Sequence, residues 1–130
     1  MNKKFISIQQ NTNLHDIIEI VKKEDSFNYP VVDKELKLRG VITMKELKGA
    51  LFESDLENFI LAGDIAAPTR FVLFPNQPLD KAFEDFNNRA LEFLPVVANN
   101  DSNQVVGIVE HRNLVDEIDK RMLSRHGDYE

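Results

Sequence analysis

Tyr29-Pro30-Val31-Val32 returns 65 residues later as Leu94-Pro95-Val96-Val97. A proline followed by β-branched residues reads as a short strand entered through a position that needs no ladder donor. A polar turn follows each, Asp33 to Lys37 in the first half and Asn99 to Gln104 in the second. The second turn is two residues longer, so beyond it the offset becomes 67. At that offset Gly40-Val41-Ile42-Thr43-Met44-Lys45-Glu46-Leu47 lies opposite Gly107-Ile108-Val109-Glu110-His111-Arg112-Asn113-Leu114.

The repeat extends upstream. Residues 14–21 (LHDIIEIV) and 79–86 (LDKAFEDF) both carry apolar side chains at i, i+3, i+4 and i+7, the stripe of a helix packed on one side. Each has a polar start, Asn11-Thr12-Asn13 and Asn76-Gln77-Pro78. Asn or Thr can cap free amides, and proline suits a first turn. Phe5-Ile6-Ser7-Ile8 and Arg70-Phe71-Val72-Leu73 read as a further short strand in each half. The unit is strand, helix, strand, turn, strand, helix, and it occurs twice. A unit with three short strands cannot cover both faces of its own sheet, so each half must shield the other. The expected fold is α/β (α+β), two β-α-β-β-α units related by a pseudo-twofold. Its equivalent loops would surround shared clefts.

Composition bounds the function. Of 130 residues, 42% are apolar and 29% charged, as in an ordered globular chain. There is no cysteine, which removes disulfides and thiolate metal sites. Sixteen basic residues stand dispersed among 22 acidic ones, giving a net charge of -6, the wrong sign for a nucleic-acid surface. Apolar stretches such as residues 71–74 are far too short to cross a bilayer, so direct membrane insertion by this segment is not expected. His15, His111 and His126 lie far apart without metal-ligand spacing. No nucleophile elbow or phosphate-cradling loop is present, and the carboxylates lie on helix faces. Catalysis finds no support, and no metal site is expected.

The proline-entered strand, the polar turn, the glycine with two β-branched residues, and Thr43 with an acid three positions later resemble a CBS domain. Two copies in register resemble the tandem pair called a Bateman module. The resemblance implies a CBS domain at residues 5–52, a connecting helix or linker at 53–69, a second CBS domain at 70–118 and a polar tail at 119–130. It also implies a disc-like module that forms homodimers. The connector, residues 50–57 (ALFESDLE) and 62–66 (AGDIA), resembles the join in the cytoplasmic tail of prokaryotic ClC chloride channels and transporters. That similarity implies a regulatory part of a voltage-gated chloride channel or exchanger. Its partner would be the transmembrane chloride-transport domain of the same chain, and its location the cytoplasmic side of an inner membrane. The lead-in before the second copy has no counterpart ahead of Phe5, which is the expectation for a segment of a longer protein. A ligand-free scaffold and a stand-alone sensor of an adenosine ligand are the alternatives.

The same resemblance implies a regulatory ligand, ATP, ADP, AMP or adenosine, with no cofactor required. The ribose positions would be Glu46 and Asn113, and the hydroxyl positions near phosphate Thr43 and Glu110. The base-side segments would be Ser26-Phe27-Asn28-Tyr29 and Leu91-Glu92-Phe93-Leu94, each facing the other copy's helix start. Glu110 puts a carboxylate where phosphate would lie, so that cleft would prefer adenosine over a nucleotide or stay empty. Arg39, Lys45, Lys48, Arg89 and Arg112 are candidate phosphate partners from the rims. The residues also have plainer readings: Thr43 and Glu46 form a capping box of Thr-x-x-Glu type, and Tyr29 serves as core or interface. Phe83, Phe86 and Phe93 read as core.

Overall fold

A computed structural model of the chain describes residues 5–24, 27–52, 54–69, 71–76, 80, 84 and 93–110. The first half runs β1 (Ile8–Gln9), α1 (Leu14–Lys23), β2 (Tyr29–Val32), β3 (Leu38–Ile42) and α2 (Met44–Leu51). A 3-10 turn at Ser54–Leu56 and the short α3 (Ala62–Ile65) form the connector. The second half contributes β4 (Phe93–Val97) and β5 (Val105–Glu110). The second amphipathic stretch, residues 79–86, lies largely outside the described residues, as do Phe83, Phe86, residues 111–118 and the tail.

In the first sheet β2 is central, parallel to β1 and antiparallel to β3. The second half repeats this register residue for residue. Tyr29 pairs with Ile42 and Leu94 with Val109; Val31 pairs with Gly40 and Val96 with Gly107. Each ladder slips at the same place, between Val31 and Val32 and between Val96 and Val97. Even the parallel pair recurs, Ile8 with Val31 in one half and Leu73 with Val96 in the other. The first strands are shorter than their sequence pattern. β1 begins only at Ile8, and Leu73 is a single bridge residue, because the ladder with β2 engages late. Phe5, Val72 and Phe74 instead pack against the core formed where the halves meet.

Every residue of β2 is buried, as expected for a central strand covered on both faces. Successive side chains point to opposite faces. Tyr29 and Val31 pack with Ile8, Ile17, Ile42 and Leu47 in the first half's own core. Val32 turns the other way and joins Leu38, Val97 and Val105, two equivalent pairs from the two halves. Burying each such aliphatic side chain contributes about 1.5–3 kcal/mol. A hydrogen bond across the seam adds about 1 kcal/mol net. Mutual shielding therefore joins the halves, and the polar contacts set their register.

α1 starts where its polar lead-in implies, with Asn13 Oδ1 accepting the Asp16 amide at 2.9 Å. It buries Leu14 and Ile17. The connector is built into the first half. The amides of Ala62 and Gly63 donate to Thr12 O and Gln10 O at 2.7 and 2.8 Å, and Val41 and Ala67 exchange both backbone bonds at 2.9 and 2.8 Å. Gly40 permits that approach, since a Cβ there would lie 2.8 Å from Ala67 O.

Candidate functional site

The two halves meet first at their turns. Leu38 donates to Asn103 O, Val105 donates to Leu36 O, and Lys37 bridges Gln104 between them. Exchange of the halves turns either bond into the other, so the pseudo-twofold passes between Lys37 and Gln104. Leu36 and Asn103, at equivalent places, both have positive φ, 66° and 52°.

At the far end of the strands, β3 delivers the chain into α2. The Thr43 amide and its hydroxyl both donate to Glu46 Oε1, at 3.0 and 2.9 Å. The Glu46 half of the expected capping arrangement is thus present, and this oxygen is engaged without any ligand. Thr43 and Glu46 are both half-buried.

The corresponding end of β5 is chemically different. Glu110, equivalent to Thr43, is only 5% exposed. Asn28 Nδ2, from the base-side segment of the first half, donates to Glu110 Oε2 at 2.8 Å. Asn28 of the first copy thus meets the strand end of the second. Tyr29 is fully buried in the core. Burial pushes its hydroxyl up to about 12, and the negative charges of Glu24 and Glu110 push in the same direction. Phe27, next to Asn28 in the chain, keeps 40% of its surface exposed. Ser26 and Asn113 lie outside the described residues, as do Leu91 and Glu92. Phe93 and Leu94 are buried, in line with the core reading of Phe93.

The pseudo-twofold equivalents of Asn28 and Glu110 are Phe93 and Thr43. One seam thus offers an amide and a carboxylate, the other a phenyl ring and a hydroxyl. The direct Asn28–Glu110 bond had no signal in the sequence, because it depends on how the copies cross.

Arg39 is used elsewhere than at a phosphate rim. Its Nε and Nη2 donate to Asp33 Oδ2 at 3.2 and 2.9 Å, while Asp33 Oδ1 accepts the amides of Glu35 and Lys37. Burial works to raise the Asp33 carboxyl, but the two amides and Arg39 outweigh it and hold it below the usual range. These residues border a cleft of about 370 Å³ with Gln9, Gln10 and Asn11. It lies at the opposite end of β3 from Thr43, roughly 13 Å away at the rise of a five-residue strand. Lys45 and Lys48 are exposed on α2, and Arg89 and Arg112 lie outside the described residues. His15 Nδ1 meets Glu57 Oε1 at 3.1 Å on the surface. Among the described residues no cluster of three His, Asp or Glu side chains could hold a metal ion.

The CBS domain model matches residues 1–53 and 62–120, and the chain belongs to the CBS domain family. That family is regulatory and not catalytic. The chain is 28% identical over 124 residues to the uncharacterized protein MJ1004 of Methanocaldococcus jannaschii; the match covers 88% of this chain and 52% of that protein. The chain thus spans about half the length of this relative. Its fold superposes on the crystal structure of CBSX2 in complex with AMP, with TM-score 0.78, 21% identity and coverage of 92% of this chain and 90% of that one. It is also similar to the CBS domain pair of MJ0100 in complex with 5-methylthioadenosine and S-adenosyl-L-methionine, with TM-score 0.77, 23% identity and 93% coverage of both chains. These likenesses bear out the fold class of a tandem CBS pair. They give no support to a chloride-transport parent. Among the described residues no helix is long and apolar enough to cross a membrane.

Proposed function

We propose that the chain is a ligand-sensing CBS pair and that its ligand is an adenosine compound held where the two copies cross. The observation that carries this reading is the bond from Asn28 to Glu110, which joins one copy's base-side segment to the other's strand end. Phe27, next to Asn28 in the chain, is a partly exposed aromatic side chain that suits a purine ring. Glu46 and Asn113 are the proposed ribose partners, with Thr43 and Glu110 beside the 5′ substituent. The bound AMP of CBSX2 and the 5-methylthioadenosine and S-adenosylmethionine of MJ0100 define the compounds to try. A ligand that prefers one packing of the copies would shift the equilibrium felt by whatever the module is attached to. Calorimetric titration of the whole chain with ATP, ADP, AMP, adenosine and S-adenosylmethionine tests it. Absence of both heat and thermal shift at millimolar ligand overturns it.

A second reading, a scaffold that holds subunits together, is favoured by a different observation. Phe52 and Phe59 are 90% and 78% exposed, and Leu51 at the end of α2 and Leu56 beyond it are exposed as well. Such a surface favours self-association into a homodimer. Sedimentation of the chain and of a Phe52→Ser/Phe59→Ser variant checks this, and a monomeric parent at high concentration rejects it.

Membership in a ClC-type chloride transporter, with a cytoplasmic position beneath it, is a narrower proposal that rests on the connector's sequence. The bonds of Ala62, Gly63 and Ala67 give the connector an internal purpose that any such pair would need. A stand-alone sensor is therefore the reading we favour. The parent gene discriminates: about ten apolar spans in the same chain would mark the transporter.

A further inference from the structure

We propose that the cleft at the turn between β2 and β3 is a second ligand site, suited to a small oxyanion of the carboxylate or phosphate type. It is independent of the adenosine reading and lies at the other end of β3 from Thr43. The cleft holds about 370 Å³, the size of a small-molecule pocket, and every residue lining it is polar. Five of those residues are charged, three positive and two negative. Both carboxylates are already answered, Asp33 by Arg39 and two backbone amides, Glu35 by Lys37 at 3.5 Å. Lys34 has no ion-pair partner among the described residues, so the balance in the cleft is positive. Arg39 also keeps donors to spare. Of the five N–H groups of a guanidinium, Asp33 takes one from Nε and one from Nη2.

The fold itself does not call for this lining. In the second half Phe74, Ala98 and Val106 stand in the places of Gln9, Asp33 and Arg39. The turn there closes all the same, with the Ala98 amide donating to Gln104 O at 2.9 Å as the Asp33 amide donates to Lys37 O at 3.0 Å. Asp33 and Arg39 are thus additions to a turn that forms without them. Their pairing holds the guanidinium in place, so an arriving anion does not have to order it. The remaining N–H groups match the spacing of two oxygens on a carboxylate or phosphate, and Lys34 supplies a second positive charge. The cleft is open to water, and screening there keeps the affinity near the millimolar range, about what a few exposed charge contacts supply.

The test follows the Arg39 Nε–H resonance by NMR in the full-length chain during titration with citrate and, separately, with inorganic pyrophosphate. Sodium chloride at matched ionic strength is the control. A saturable shift is expected with at least one of the two probes, and which one responds separates carboxylate from phosphate recognition. Lys34→Gln removes an exposed charge and leaves the Asp33–Arg39 pair intact. It should weaken binding about threefold, the worth of a single exposed ion pair. A shift that only rises linearly, or that sodium chloride reproduces, is general screening and overturns the proposal, and this comparison needs no variant. Equal affinity in the parent chain and in Lys34→Gln also overturns it.

Discussion

Lys37 and Gln104 face each other at the centre of the pseudo-twofold, flanked by the Leu38–Asn103 and Val105–Leu36 hydrogen bonds, each 3.0 Å long. The register of the two halves is thus set by turns that the duplication made equivalent. The turns differ in length, yet both place a left-handed residue immediately before the bridge.

That symmetry exposes a mismatch. Asn103 suits positive φ and its Nδ2 also donates to Leu38 O at 3.2 Å, whereas Leu36 holds φ 66° with a half-exposed aliphatic side chain. A branched residue in this region costs about 1–2 kcal/mol relative to its relaxed state, a cost asparagine largely avoids. Leu36→Asn should raise the unfolding free energy by about 1 kcal/mol, and Asn103→Leu should lower it by at least as much. Urea unfolding of both variants checks the pair of signs.

Gly40→Ala should destabilise the chain by about 1–3 kcal/mol, in the range of an overpacked interior. The added carbon would meet Ala67 O at 2.8 Å and Ala66 Cβ at 3.0 Å, and backbone cannot move aside as a side-chain tip can. Gly49→Ala, with open space around it, should be neutral or stabilising in the same assay.

The Tyr29 hydroxyl supplies an alkaline limit. Its value is raised from 10.0 to about 12 by burial and by two nearby acids. The folded state therefore keeps its proton where the unfolded state loses it. The stabilisation is complete below about pH 10 and is lost as pH rises through the folded value. In a Tyr129→Phe background, near-ultraviolet titration should show the tyrosine ionising well above its ordinary range. Glu110→Gln should bring that ionisation down.

Asp33 supplies an acid limit of opposite sign. Its carboxyl is held low in the folded chain, so folding is favoured above the unfolded value near pH 4 and that advantage disappears as pH falls through the folded value. Asp33→Asn should lower the melting temperature at neutral pH and flatten its dependence on pH in the acid range. A variant whose acid limb matches the parent's would reject the role of the Asp33–Arg39 turn.

The repeat of Tyr29–Val32 in Leu94–Val97, with its offset growing from 65 to 67 across the turn, was enough to determine paired units with matching strand registers. Strand and turn patterns are local, and duplication writes them twice. The polar cap at Asn13 and the Thr43–Glu46 pair were legible for the same reason, since helix-end contacts lie within three residues. The late start of β1, the capture of Arg39 by Asp33 and the Asn28–Glu110 bond were not. Strand length depends on where the ladder engages, and a flexible arginine goes to whichever acid the fold brings near. Asn28 and Glu110 stand 82 residues apart and meet only because one copy's strand end is laid across the other's. Such a contact is decided by the angle at which two buried faces pack, a property of the assembled core.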